Sequence, residues 1–146
     1  MLVEQLLQVS HKRLVTIADN APMIQAAKLL CQGSDLVVVC SSAGLLTGVI
    51  TKTDVVSQLS DCQGTRCTTA ASLVMTPDVV VCRPGDLLQD VWSKMKERGL
   101  KNIPVTDQDF RPVGVLNARD VLKVLLKEVE NEETLLRDYV MGIGYH

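Results

Sequence analysis

Apolar residues along this chain fall into short continuous runs separated by helically spaced stripes. Leu36-Val37-Val38-Val39-Cys40 is an unbroken apolar run of strand length, as expected of a strand buried on both faces. Leu14–Ile17 reads as a short strand before it, and Leu45–Ile50 as a third strand after the Ser41–Gly44 turn. Between the first two, Ile24, Ala27, Leu30 and Cys31 are spaced as the inward stripe of a helix. Asp19 or Asn20 is its expected cap, Pro22 lies in its first turn, and Gly33 is placed to stop it. A second helix is expected from Thr51, with Val55, Val56 and Leu59 on one side.

A polar, Gly- and Thr-rich stretch over residues 60–70 interrupts the pattern, which then restarts. Val79–Cys82 is the expected strand, Pro84-Gly85 a turn and Asp86 a cap. Leu88, Val91, Trp92 and Met95 form an i, i+3, i+4, i+7 stripe ended by Gly99. Ile103–Thr106 and Pro112–Leu116 are two more strands, and a helix from Asn117 carries Val121, Leu122 and Leu125. Sliding the chain by 66 positions without a gap superposes Gly33 on Gly99, Val39 on Val105, Gly48 on Gly114 and Asp54 on Asp120. The fold class expected is therefore α/β (α+β): two β-α-β-β-α repeats, each too small to bury its sheet alone. The first spans residues 7–60 and the second 73–127, joined by a linker over 61–72. An acidic stretch with Glu128, Glu130, Glu132 and Glu133 then leads to Leu135, Leu136, Tyr139 and Val140 at helical spacing. That predicts a helical tail over 128–146, docked on the body or on a partner.

Candidate chemistry centres on a heptapeptide written twice, Gly48-Val-Ile-Thr-Lys-Thr-Asp54 and Gly114-Val-Leu-Asn-Ala-Arg-Asp120. In each copy a strand ends, Thr51 or Asn117 takes a helix N-cap position, and an aspartate follows three residues later. Such a helix start presents free backbone N–H groups that suit a phosphate. The same spacing is also that of a capping box, in which the aspartate serves only the helix.

Composition removes several alternatives. The 146 residues carry a formal charge of −2 with no basic stripe, which argues against binding a nucleic-acid backbone. No apolar run approaches the 18 residues a membrane-spanning helix needs, and the N-terminus lacks a signal-peptide layout. A cytoplasmic protein is expected. Five cysteines are an odd, scattered set rather than a disulfide framework. Cys62 and Cys67 share the polar linker, but four clustered ligands would be needed for structural zinc. No phosphate-binding P-loop, nucleophile elbow or His-Glu-x-x-His motif is present.

The ordered set Val74-Met75-Thr76-Pro77, Val80-Val81, Pro84, Met95, Ile103-Pro104-Val105, Gly114-Val115-Leu116 and Asp120 resembles a CBS (cystathionine β-synthase-like) motif. The first repeat is similar, so residues 7–127 resemble a Bateman module. That resemblance implies two β-α-β-β-α units about a pseudo-twofold axis, with clefts for AMP, ADP, ATP or S-adenosylmethionine. It implies that Asp54 and Asp120 take ribose hydroxyls and that Thr51 lies near the phosphate. Thr16, Ile17, Val81 and Cys82 would lie beside the base, with Val37, Val38, Ile103 and Pro104 on its other side. Asn117 departs from the usual Thr or Ser, though its amide can donate and neighbouring Arg119 carries charge. The function expected is a non-enzymatic, stand-alone adenosine-ligand sensor without a cofactor, acting as a homodimer on an unidentified effector protein. The alternatives are a dimerisation scaffold with vestigial clefts and a thiol or metal sensor using Cys62 and Cys67.

Overall fold

The structure, a computed structural model, describes residues 1–60 and 69–141. A 3-10 turn, Val3–Leu6, runs into α1 (Leu7–Arg13). The first repeat follows as β1 (Thr16–Ala18), α2 (Met23–Cys31), β2 (Val37–Cys40), β3 (Leu46–Ile50) and α3 (Lys52–Ser60). A single helical turn, α4 (Ala71–Val74), opens the second repeat. It continues as α5 (Leu88–Arg98), β4 (Asn102–Thr106), β5 (Pro112–Asn117) and α6 (Ala118–Met141).

The first sheet has the order β1-β2-β3, with β1 parallel and β3 antiparallel to β2. Burial on both faces explains its continuous apolar run. Val37 and Val39 enter the core beneath α2, while Val38 joins Leu36, Leu46, Val49 and Val115 in a separate apolar layer. Val115 belongs to the second repeat, so this layer is where the halves meet. The second sheet pairs β4 with β5. Its expected third strand, Val79–Cys82, shrinks to one bridge between Cys82 and Val105. The cause is a missing donor. Val38 donates its N–H to Val15 in the first sheet, at 2.8 Å, but the equivalent residue in the second is Pro104, which has none.

Each repeat's leading segment crosses to the other repeat. Val3 and Leu6 are buried in the second core with Leu88, Val91, Met95, Ile103 and Val121. Ala71 and Val74 are buried in the first, with Ile17, Met23, Ala26 and Leu30. Backbone bonds fix both crossings: Val3 N–H donates to Asp86, Leu88 to Met1, Ala71 to Ala21 and Met23 to Thr69, all within 3.0 Å. Each segment then presses on a strand glycine. A Cβ on Gly48 would lie 2.5 Å from Met75 Sδ and 2.8 Å from the Thr76 carbonyl oxygen. One on Gly114 would lie 2.9 Å from Ser10 Cβ and 3.0 Å from its carbonyl carbon.

Several local expectations are corrected. Neither Asp19 nor Asn20 caps α2: Pro22 is the N-cap residue and contributes no side-chain bond. The Thr69 carbonyl serves the Met23 amide instead. The inward face of α2 is Met23, Ala26 and Leu30, with Ile24 and Cys31 exposed. Asp86 closes the Arg83–Asp86 turn through the Arg83 N–H at 2.9 Å, and Leu87 is the N-cap of α5. On α3 only Val55 is buried, with Val56 and Leu59 exposed. The expected tail begins as an unbroken continuation of α6 to Met141. Trp92 is half-buried, with Lys96 Nζ 5.9 Å from its ring centroid.

Added side chains at the two strand glycines should act as overpacking, which costs about 1–3 kcal/mol. Gly48→Ala and Gly114→Ala should each lower the melting temperature by roughly 3–10 °C. Gly85→Ala, where an added Cβ meets nothing within 4 Å, should leave it nearly unchanged. Equal melting temperatures for all three variants would contradict the close-approach account.

Candidate functional site

Both heptapeptides place an aspartate at a helix start, and in both its oxygens are engaged. Asp54 Oδ2 accepts the Thr51 N–H at 2.9 Å and the Thr51 hydroxyl at 3.2 Å. This is the helix-capping half of the dual reading. Asp54 Oδ1, which a simple cap would leave free, accepts the Thr76 hydroxyl at 3.3 Å. The Thr51 hydroxyl is turned towards its own aspartate.

In the second copy Asn117 is the cap: its Oδ1 accepts the Arg119 N–H at 2.9 Å, and its Nδ2 donates to Asn102 Oδ1 at 2.9 Å. Asp120 is thereby spared the capping role. It accepts from Arg13 instead, Nε to Oδ2 at 2.7 Å and Nη2 to Oδ1 at 3.2 Å. This is a bidentate, charge-assisted pair, and it pushes the guanidinium pKa further up. Asp120 is the more sheltered partner, with side-chain exposures of 38% for Arg13 and 16% for Asp120.

Beside this pair lies a cleft of about 200 Å³ between the two halves. Its walls come from the end of α1 (Lys12, Arg13), from Val15, from the α2–β2 turn (Ser34, Asp35, Leu36) and from the second sheet (Asn102, Val115). It is smaller than the roughly 300–1,000 Å³ of ordinary ligand pockets. The sequence-derived wall residues are elsewhere: Ile17, Val37, Ile103 and Cys82 are in the two cores, Val38 and Val81 in the layer between halves. Thr16 and Arg119 are exposed, and Pro104 is buried opposite Val115. The structure thus brings Asp54 together with Thr51, and Asn117 with Arg119. Arg13, Asp35 and Asn102 were missed by sequence reasoning. Leu36 and Asn102 share one repeat position, a usable signal, whereas Arg13 falls on Val79 in the register and had none.

Burial pushes the Cys82 thiol up to about 12 and raises Cys40 as well. Among the described residues no cluster of three or more His, Cys, Asp or Glu could hold a metal ion. Cys62 and Cys67 lie outside the described residues. Among those residues no helix is long and apolar enough to cross a membrane.

Comparison with known proteins gives one consistent picture. A model of the CBS domain matches residues 3–61 and 70–127. The choline transport ATP-binding protein OpuBA of Bacillus subtilis is 26% identical over 135 residues, covering 92% of this chain and 34% of that protein. The chain spans less than half the length of the curated relatives it matches. The CBS-domain containing protein ATU1752 from Agrobacterium tumefaciens superposes with a TM-score of 0.71 at 24% identity, over 84% of this chain and 91% of that one. The CBS domain pair of protein MJ0100, in complex with 5′-methylthioadenosine and S-adenosyl-L-methionine, gives 0.72 at 23% identity, over 88% and 98%.

The folded-state thiol pKa of Cys82 lies above its ordinary value near 9. Its contribution to stability is therefore complete below about pH 9 and is lost as pH rises towards 12. At pH 8 iodoacetamide should label exposed Cys31 quickly and Cys82 only at the rate of unfolding, read by peptide mass spectrometry. Rapid labelling of Cys82 in the folded protein would contradict the burial.

Proposed function

This chain belongs to the CBS domain family, with two copies in tandem, and we propose that it is a regulatory module that binds an adenosine derivative. The observation that carries the proposal is the pair of equivalent helix starts, each with a carboxylate contacted from across the boundary between halves. A carboxylate there can accept both hydroxyls of a ribose cis-diol. In this reading Asp54 and Asp120 grip the ribose. The amides at the starts of α3 and α6 face a phosphate or carboxylate of the ligand, with Thr51, Asn117 and Arg119 nearby. In the same reading Val38 and Val81, in the layer between halves, lie towards the base, and the segments carrying Thr16, Ile17, Val37, Cys82, Ile103 and Pro104 back them. The complex of MJ0100 with 5′-methylthioadenosine and S-adenosylmethionine supports an adenosine ligand; AMP, ADP and ATP are the alternatives within that class.

The module signals by differential binding rather than catalysis: ligand favours one arrangement of the two halves, and an effector protein reads it. A cytoplasmic location and a homodimer belong to the same proposal. The exposed apolar residues Val56 and Leu59 on α3 and Leu122, Leu126 and Val129 on α6 support pairing of two copies. The competing reading is a dimerisation scaffold with vestigial clefts. It is favoured by one observation: all four carboxylate oxygens already have protein partners.

An adenosine ligand at about 100 times its dissociation constant stabilises by roughly 2.7 kcal/mol. That should raise the melting temperature by roughly 5–10 °C, with guanosine and pyrimidine nucleotides doing much less. Asp54→Asn should weaken binding about tenfold or more, because two charge-assisted bonds become neutral ones. Unchanged melting with every adenosine derivative at millimolar concentration would favour the scaffold. For the dimer, light scattering after size exclusion should give twice the 16.0 kDa chain mass. A monomer across the micromolar range would overturn pairing.

A further inference from the structure

The two aspartates are met by the leading segment of the opposite half, but by unequal partners. Thr76 reaches Asp54 through one neutral hydroxyl at 3.3 Å. Arg13, at the end of α1, reaches Asp120 through two guanidinium donors at 2.7 and 3.2 Å. A ribose hydroxyl can replace the threonine hydroxyl like for like. It cannot replace a charged, two-point contact without loss, since such bonds are roughly twice as strong as neutral ones. Arg13 also forms part of the wall of the cleft of about 200 Å³, so the group that occupies the carboxylate also narrows the space beside it. A second acceptor is at hand for a displaced guanidinium. Asp35 lines the same cleft, and its charge already acts on Arg13.

We propose that Arg13 is a latch on the second cleft. The Asp54 site takes an adenosine ligand as it stands, whereas the second, the cleft beside Asp120, takes one only when Arg13 leaves Asp120, which releases the last turn of α1. This inference rests on the assignment of Asp120 to the ribose. It goes beyond that assignment by making the clefts unequal and by naming α1 as the segment that reports occupancy of the second. Asn117 makes the latch workable: because it caps α6 itself, Asp120 can exchange one partner for another without uncapping the helix.

The test is calorimetry with 5′-methylthioadenosine, which has no phosphate for Arg13 to bind. In an Asp54→Asn background, which weakens the Asp54 site about tenfold or more, adding Arg13→Gln should strengthen binding at the Asp120 site about five- to tenfold. Raising KCl from 50 to 500 mM should strengthen it while Arg13 is present and have no such effect once it is gone, because salt screens the pair. In the otherwise unaltered chain, Arg13→Gln should add a second binding event. Unchanged or weaker binding after removal of Arg13 overturns the latch. If neither the unaltered chain nor Arg13→Gln binds any adenosine derivative, the ribose assignment fails instead. The hold on α1 is then decided by hydrogen exchange: in Asp120→Asn the amides of residues 10–14 should exchange up to about fivefold faster, and an unchanged rate removes the latch as well.

Discussion

The close approach of each leading segment to a glycine of the opposite repeat sets the architecture. Gly48 admits Met75 and Thr76, and Gly114 admits Ser10, at distances no side chain would allow. The two glycines are equivalent in the repeat, and so are Ser10 and Thr76. One contact made twice therefore generates the approximate twofold relation. It also ties the halves by exchange rather than by surface contact alone, since each core is completed by residues from the other repeat. Val3 and Leu6 fill the second core and Ala71 and Val74 the first. Neither half can lose its partner without opening its own core, which couples their stabilities.

The same crossing brings chemistry to the boundary. A segment pressed against the strand glycine ends within reach of the helix start that follows that strand. Thr76 therefore meets Asp54, and Arg13 meets Asp120. Each aspartate thus touches the segment that completes the core of its own half. In the proposed function, a ligand gripping one carboxylate would compete with a contact made by the other repeat. The competition is unequal on the two sides because one contact is a hydroxyl and the other a guanidinium.

The elements from β1 to α3 and from α5 to α6, and the repeat itself, were legible because both sheets are built from short, largely apolar runs and the register of 66 needs no gap, whereas the leading helices α1 and α4 were not. Gly44 and Phe110, equivalent in that register, even share the left-handed conformation at φ 80° and 67°. What could not be read was partnership between halves. The start of α2 was misplaced because its first amide is served by Thr69, more than 40 residues away. The strand at Val79–Cys82 was overdrawn because its fate depends on whether the opposing residue has an N–H, and Pro104 does not. The aspartates were legible as helix-start carboxylates. Their partners were not, because Arg13 breaks the repeat and Thr76 reaches Asp54 from the opposite segment.

In the proposed function the module holds an adenosine derivative at the boundary between its repeats. Native mass spectrometry of freshly purified protein tests it most directly, by weighing whatever the chain retains. The account predicts an added mass matching an adenosine derivative, released on denaturation, or acquired when AMP, ATP, 5′-methylthioadenosine and S-adenosylmethionine are supplied. A spectrum showing only the bare chain, unaltered by millimolar amounts of all four, would contradict it.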